Sequence, residues 1–272
     1  EFWPKEVALQ VYYEREAPLP IGRPMYANDL YDGPEFLEFK GTCPPDGADF
    51  RWQTLRFAHK VFAITDPDEM AADLRATPGW RIWLDADVET FRPVTLGWLA
   101  EACPEDKQCS YLGRKGLYTS ELGWCAYNLG LGGAWFLDEL RRLYTSGLIH
   151  KLTETHDSFA WDFLRVLHSH RLGRYNEYFD LASGVPGKHV WPHTILGDVM
   201  IHKKGPGRKT GPNEGAYRDD VVQPWGTGWT GSTATPERVS IAAAMLKTQV
   251  TAVSVFPPSM TTPNGQFIDD GE

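Results

Sequence analysis

The stretch Trp80-Arg81-Ile82-Trp83-Leu84-Asp85-Ala86-Asp87 decides how the chain folds. A short, mostly apolar run rich in aromatics reads as a buried strand, and it leads straight into two acids two residues apart. At a strand end, residues i and i+2 project to one side, so the carboxylates of Asp85 and Asp87 converge. Converging carboxylates repel each other unless a cation lies between them, and hard oxygen ligands suit Mg²⁺ or Mn²⁺. The same spacing recurs in Asp66-Pro67-Asp68. There it follows a helical pattern and leads into Glu69, so it reads as a turn that opens a helix.

Outward from that strand, strand and helix signals alternate. Residues 7–13 read as a first strand, and a Pro- and Gly-punctuated loop runs on to about Asp49. Asp49 reads as the N-cap of a helix carrying Phe50, Leu55, Phe57, Val61 and Phe62 at helical spacing. Beyond the acids, residues 93–102 look helical, 110–112 and 122–129 extended, and 133–143 and 157–168 helical. A short strand is expected over 199–202 and a helix over 236–247. This pattern predicts an α/β domain with a mainly parallel sheet flanked by helices, and ligands bind such sheets at the carboxyl ends of the strands. The expected organisation is one domain over residues 1–210. Residues 211–272 are expected to be a C-terminal extension packed on it, with a partly disordered tail.

Composition removes several classes. The 272 residues are 42% hydrophobic and 23% charged, which suits a globular chain long enough to bury a full core. Eleven Trp and 13% aromatics fit core filling and also sugar-stacking platforms. A net charge of −9 argues against bulk, non-specific nucleic-acid binding, which draws on Lys and Arg. Cys43, Cys103, Cys109 and Cys125 show no CxxC spacing, so a zinc finger is not indicated and free thiols are expected. No apolar run reaches the roughly 20 residues of a membrane span. The opening Glu1-Phe2-Trp3-Pro4 has no leader pattern, so a cytoplasmic location is expected.

Other residues carry possible chemistry. The loop His202-Lys203-Lys204-Gly205-Pro206-Gly207-Arg208-Lys209 offers a metal-ligating imidazole and several phosphate-neutralising cations. Its glycines let the backbone approach an anion. It also reads as a solvated basic turn. Asp157, in Thr155-His156-Asp157-Ser158, fits either an N-cap or a carboxylate near a substrate acting as base, nucleophile or hydroxyl ligand. Glu121 precedes a strand and can bind hydroxyls from its edge. Arg56 and Lys60 lie one helical turn apart, as a nucleotide or diphosphate contact or as an ordinary surface face.

Together these pieces resemble GT-A glycosyltransferases, whose Rossmann-like fold ends a strand in DxD. The nearest pattern is similar to the retaining family of glycogenin and the bacterial lipopolysaccharide galactosyltransferases, which carries a late H-x-x-G-x-x-K motif. His202, Gly205 and Arg208 match that spacing, with Arg in place of Lys and Lys209 next. The chain also looks like glycosyltransferase-like proteins of bacteria and their phages. The likeness there lies in Arg56-Phe57-Ala58-His59-Lys60, Trp83-Leu84-Asp85-Ala86-Asp87, Ser120-Glu121 and His156-Asp157-Ser158.

The resemblance implies that Asp85, Asp87 and His202 bind Mn²⁺ or Mg²⁺. Lys204, Gly205, Arg208 and Lys209 then hold the diphosphate, and Arg56 and Lys60 the nucleotide. Asp157 and Glu121 serve as the catalytic or sugar-side acids. The implied partners are a nucleotide-sugar donor, a UDP-sugar first, and a hydroxyl acceptor, either a cell-surface glycan or a hydroxymethylated DNA base.

Three other readings compete. A haloacid-dehalogenase-like phosphatase also opens with a strand and DxD, but its DxDx[TV] pattern meets Glu89 at the fifth position, with Thr90 one place late. A nucleotidyltransferase would carry a Gly-rich loop within residues 12–24, where there is a single Gly. A non-catalytic carbohydrate-binding protein would need no diphosphate site at all.

Overall fold

Trp80–Leu84 is a strand, and Asp85 follows it directly. The computed structural model describes residues 2–13, 25–29, 33–67, 79–115, 119–173, 177–185, 187 and 189–203. In chain order the elements begin with strands β1 (Leu9–Tyr13) and β2 (Met25–Asp29) and helices α1 (Pro34–Thr42) and α2 (Thr54–Ile64). Strands β3 (Trp80–Leu84) and β4 (Val88–Thr90), helix α3 (Leu96–Ala102), and strands β5 (Cys109–Leu112) and β6 (Glu121–Asn128) follow. Helices α4 (Gly133–Thr145) and α5 (Asp157–Leu172) and strands β7 (Tyr178–Asp180) and β8 (Met200–His202) complete the described part. Lys204, Gly205, Arg208, Lys209, Asp68, the helix expected over 236–247 and the whole of 211–272 lie outside the described residues.

Among the described residues the main sheet has four strands, in the order β3-β6-β5-β7. β6 runs antiparallel to both β3 and β5, whereas β5 and β7 are parallel. This corrects the expectation of a mainly parallel sheet: the fold is α/β with a mixed sheet flanked by helices. The cause is the connector over residues 113–120. A parallel crossover needs about a dozen residues or more, so β6 must return antiparallel to β5. The route from β6 to β7 carries α4 and α5, and there the chain can come back in the direction of β5. The described residues also form two small ladders, β1 with β2 in parallel and β4 with β8 antiparallel.

β6 is buried along its whole length, which explains why it reads as apolar rather than alternating. Trp124 and Ala126 enter a cluster with Leu112, Val94, Ala102, Trp191, Leu196 and Met200. Tyr127 instead meets α4 and α5. Its ring lies 5.8 Å from Phe136, and its hydroxyl accepts from Trp161 Nε1 at 2.9 Å. Burial of a side chain such as Phe136, fully inaccessible here, contributes about 2 kcal/mol.

Helix boundaries depart from the sequence reading where the cap is not local. Asp49 caps only the short 3₁₀ turn Phe50–Trp52, accepting from Arg51 N at 3.0 Å. α2 starts later, and the carboxylate of Asp46 accepts from Leu55 N at 2.8 Å and Arg56 N at 3.1 Å. α1, with Pro34 at its first position, occupies part of what reads as loop.

All four cysteines are free thiols; Cys103, Cys109 and Cys125 are buried. Burial, with Asp46 adding to it, pushes the partly exposed Cys43 thiol up to about 11, and burial pushes Cys103 up to about 12. Native protein at pH 7.5 should therefore resist iodoacetamide. For Cys43, a pKa two units above the usual range means about 100-fold less thiolate. Intact-mass analysis should show four adducts only after denaturation; rapid labelling of the native chain would contradict these environments.

Candidate metal centre

Two short ladders bring distant acids and a histidine together. Asp85 N donates to Gly123 O at 3.0 Å, which carries the β3–β6 pairing one residue past the strand. The chain then reverses: Val88 N donates to Asp85 O at 3.0 Å and closes a turn over residues 85–88. The acids therefore converge through a turn, not through strand alternation. β4 leaves the turn and pairs with β8 in a register that sets Val88 opposite His202. Lys203 N donates to Asp87 O at 2.9 Å and prolongs that ladder. His202 thus comes to the acids although it lies more than a hundred residues along the chain.

One ligand atom each from Asp85, Asp87 and His202 lie within 4.8 Å of one another. His202 Nε2 stands 3.0 Å from Asp87 Oδ1 and 3.9 Å from Asp85 Oδ2. Two carboxylates and an imidazole are a donor set for a divalent cation. The surroundings fit that use. Asp85 Oδ1 accepts from Lys60 Nζ at 2.9 Å and from Trp83 Nε1 at 2.7 Å, and Oδ2 is the atom closer to His202. Gly123 is needed here: a Cβ on it would stand 2.4 Å from His202 Cε1. An isolated Gly inside an apolar strand is the sequence signal for such a close approach.

Lys60 is part of this centre, but as a largely enclosed positioning cation whose side chain is 13% exposed. It pairs with Asp85, with Asp157 Oδ2 at 3.1 Å and with the carbonyl of Leu122, so its three N–H groups are engaged. Burial opposes its charge, yet the carboxylates of Asp85 and Asp157 hold it well above the usual lysine range. Burial likewise opposes ionisation of Asp157, but Lys60 and then His156 hold that carboxyl below the usual range. Asp157 does not cap α5. His156 does, its Nδ1 accepting from Phe159 N at 3.3 Å, which leaves the Asp157 carboxylate for Lys60.

Glu121 is 2% exposed and lies beside His202, with Oε1 2.9 Å from Nδ1. It is not on an open strand edge. Arg56, one turn from Lys60, points elsewhere: it donates to Gln53 Oε1 at 2.8 Å and lies over the Phe57 ring at 5.6 Å. Trp83, Gly123 and the Leu122 carbonyl are contributors that motif spacing alone did not single out. No protein-family model matches the chain, and no curated protein or solved structure matches it either. Among the described residues, no helix is long and apolar enough to cross a membrane.

Proposed function

We propose that the chain is a metal-dependent glycosyltransferase of GT-A type that moves a sugar from a nucleotide-diphosphate donor, a UDP-sugar first, to a hydroxyl acceptor. The observation that carries this reading is the convergence of Asp85, Asp87 and His202 just past the carboxyl end of β3, an outer strand of the described sheet. A divalent cation bound there supplies positive charge against the diphosphate as it leaves. Asp85, fixed by Lys60 and Trp83, and Asp87, fixed through its backbone to Lys203, orient the cation. Lys204, Gly205, Arg208 and Lys209 follow His202 directly in sequence, so this reading assigns them to the diphosphate and the exposed Arg56 to the nucleotide. Asp157, kept ionised by Lys60, suits a sugar centre that gains positive character as its bond to phosphate breaks.

The test is thermal stability of the full chain with UDP-, GDP-, CMP- and dTDP-sugars, each with and without Mn²⁺. A true donor at 100 times its dissociation constant should add about 2.7 kcal/mol, and only with the metal. No shift with any of them would sink the reading and turn attention to phosphate release or to plain carbohydrate binding.

A further inference from the structure

The carboxylate behind His202 has a role that the transfer reaction does not assign it. We propose that Glu121 is a positioning residue of the cation site: it fixes the His202 ring and keeps the proton on Nδ1, so that Nε2 offers its lone pair between Asp85 and Asp87. This rests on the reading of those three residues as a cation site.

Three observations converge on it. Glu121 and His202 are each 2% exposed and meet at 2.9 Å, through the nitrogen that does not face the aspartates. A carboxylate this deeply buried is costly unless it accepts strong hydrogen bonds, so the contact is selective rather than incidental. The pairing of β5 with β6 shifts at this point: Tyr111 faces Cys125, but Leu112 faces Glu121. Such irregularities re-aim a side chain near a site, and here the residue concerned is Glu121.

The ring is also confined from other sides. Trp191 packs on it with centroids 5.1 Å apart, and Gly123 leaves no room for a Cβ. Asp87 Oδ1 stands 3.0 Å from the other ring nitrogen, Nε2, so with a cation on the side of the aspartates it falls to Glu121 to hold the proton on Nδ1. Metal-bound histidines are commonly oriented by a carboxylate on the second ring nitrogen, and losing that partner typically weakens metal binding 10- to 100-fold.

Mn²⁺ binding by the full chain, followed by electron paramagnetic resonance without any nucleotide, tests the assignment. Glu121→Ala should weaken Mn²⁺ roughly 10- to 100-fold. Glu121→Gln keeps an oxygen acceptor for Nδ1–H and should stay within about threefold of wild type. Mg²⁺ affinity should fall less, because Mg²⁺ relies on the carboxylates. Unchanged Mn²⁺ binding in Glu121→Ala, or a Gln variant as defective as Ala, would overturn the role. If Glu121→Ala does not fold, ¹⁵N-histidine spectra of wild type with Mg²⁺ decide: a proton on Nδ1 of His202 supports it, and one on Nε2 rejects it. A wild type that binds no Mn²⁺ would overturn the cation site and this role together.

Discussion

Asp87→Asn should abolish the Mn²⁺-dependent stabilisation by nucleotide sugar while leaving the metal-free fold in place. The substitution keeps the side-chain shape and removes one of two neighbouring negative charges. The backbone contact that anchors the position, Lys203 N to Asp87 O, does not involve the carboxylate. The Asp87 side chain is 31% exposed, so Asn is not forced into a dry pocket, and the loss of stability without metal should stay within about 1 kcal/mol.

The cation responds differently. Loss of a partner that only orients a ligand costs 10- to 100-fold, so loss of a ligand itself should cost at least about 100-fold, or about 2.7 kcal/mol. Thermal denaturation with and without Mn²⁺ and donor separates the two effects. Full retention of the metal-dependent shift would remove Asp87 from the site. A collapse of the metal-free transition would mean that the turn over residues 85–88 needs the charge to fold.

Some of this architecture is legible in the sequence, for physical reasons that can be named. Trp80–Leu84 is mostly apolar, with Pro78-Gly79 before it and Asp85 after it, so local pattern is enough to define β3. His202 lies at the end of a short apolar run before a stretch of basic residues in the sequence, and β8 forms there. The sheet direction is not legible from alternation of elements; it follows from the length of the connector after β5. Arg56 and Lys60 show why spacing alone misleads. One helical turn separates them, but residues four apart differ by about 40° around the axis. That is enough for Lys60 to turn inward to Asp85 and Asp157 while Arg56 stays exposed. Asp46 caps α2 from nine residues away, and Glu121 on β6 meets His202 on β8, a strand of a separate ladder. Neither contact has a local signature.

Lys60→Met should be the most destabilising substitution at the centre. Methionine fills a similar volume without charge, so the change isolates the ionic contribution. Lys60 and Asp157 have side chains only 13% and 8% exposed, and removing one partner of a buried pair typically costs 3–5 kcal/mol because the other charge is left uncompensated. Asp85 is 31% exposed, so water relieves part of the loss, and about 3 kcal/mol at pH 7 is expected.

The pH dependence carries a sign. Asp157 has a folded pKa below its unfolded value of about 3.9, so its contribution is present above that pH and is lost as pH falls through the lower folded value. Lys60 is raised in the fold, so its contribution is present below its unfolded value of about 10.4 and fades only as pH rises towards the folded one. The difference between wild type and Lys60→Met should therefore be fullest between about pH 4 and pH 10 and narrow in acid, where the carboxyls of both proteins protonate. Urea unfolding at pH 7 and pH 3 would show it. Equal stabilities at pH 7, or a gap that widens in acid, would mean that Lys60 neutralises neither carboxylate in solution.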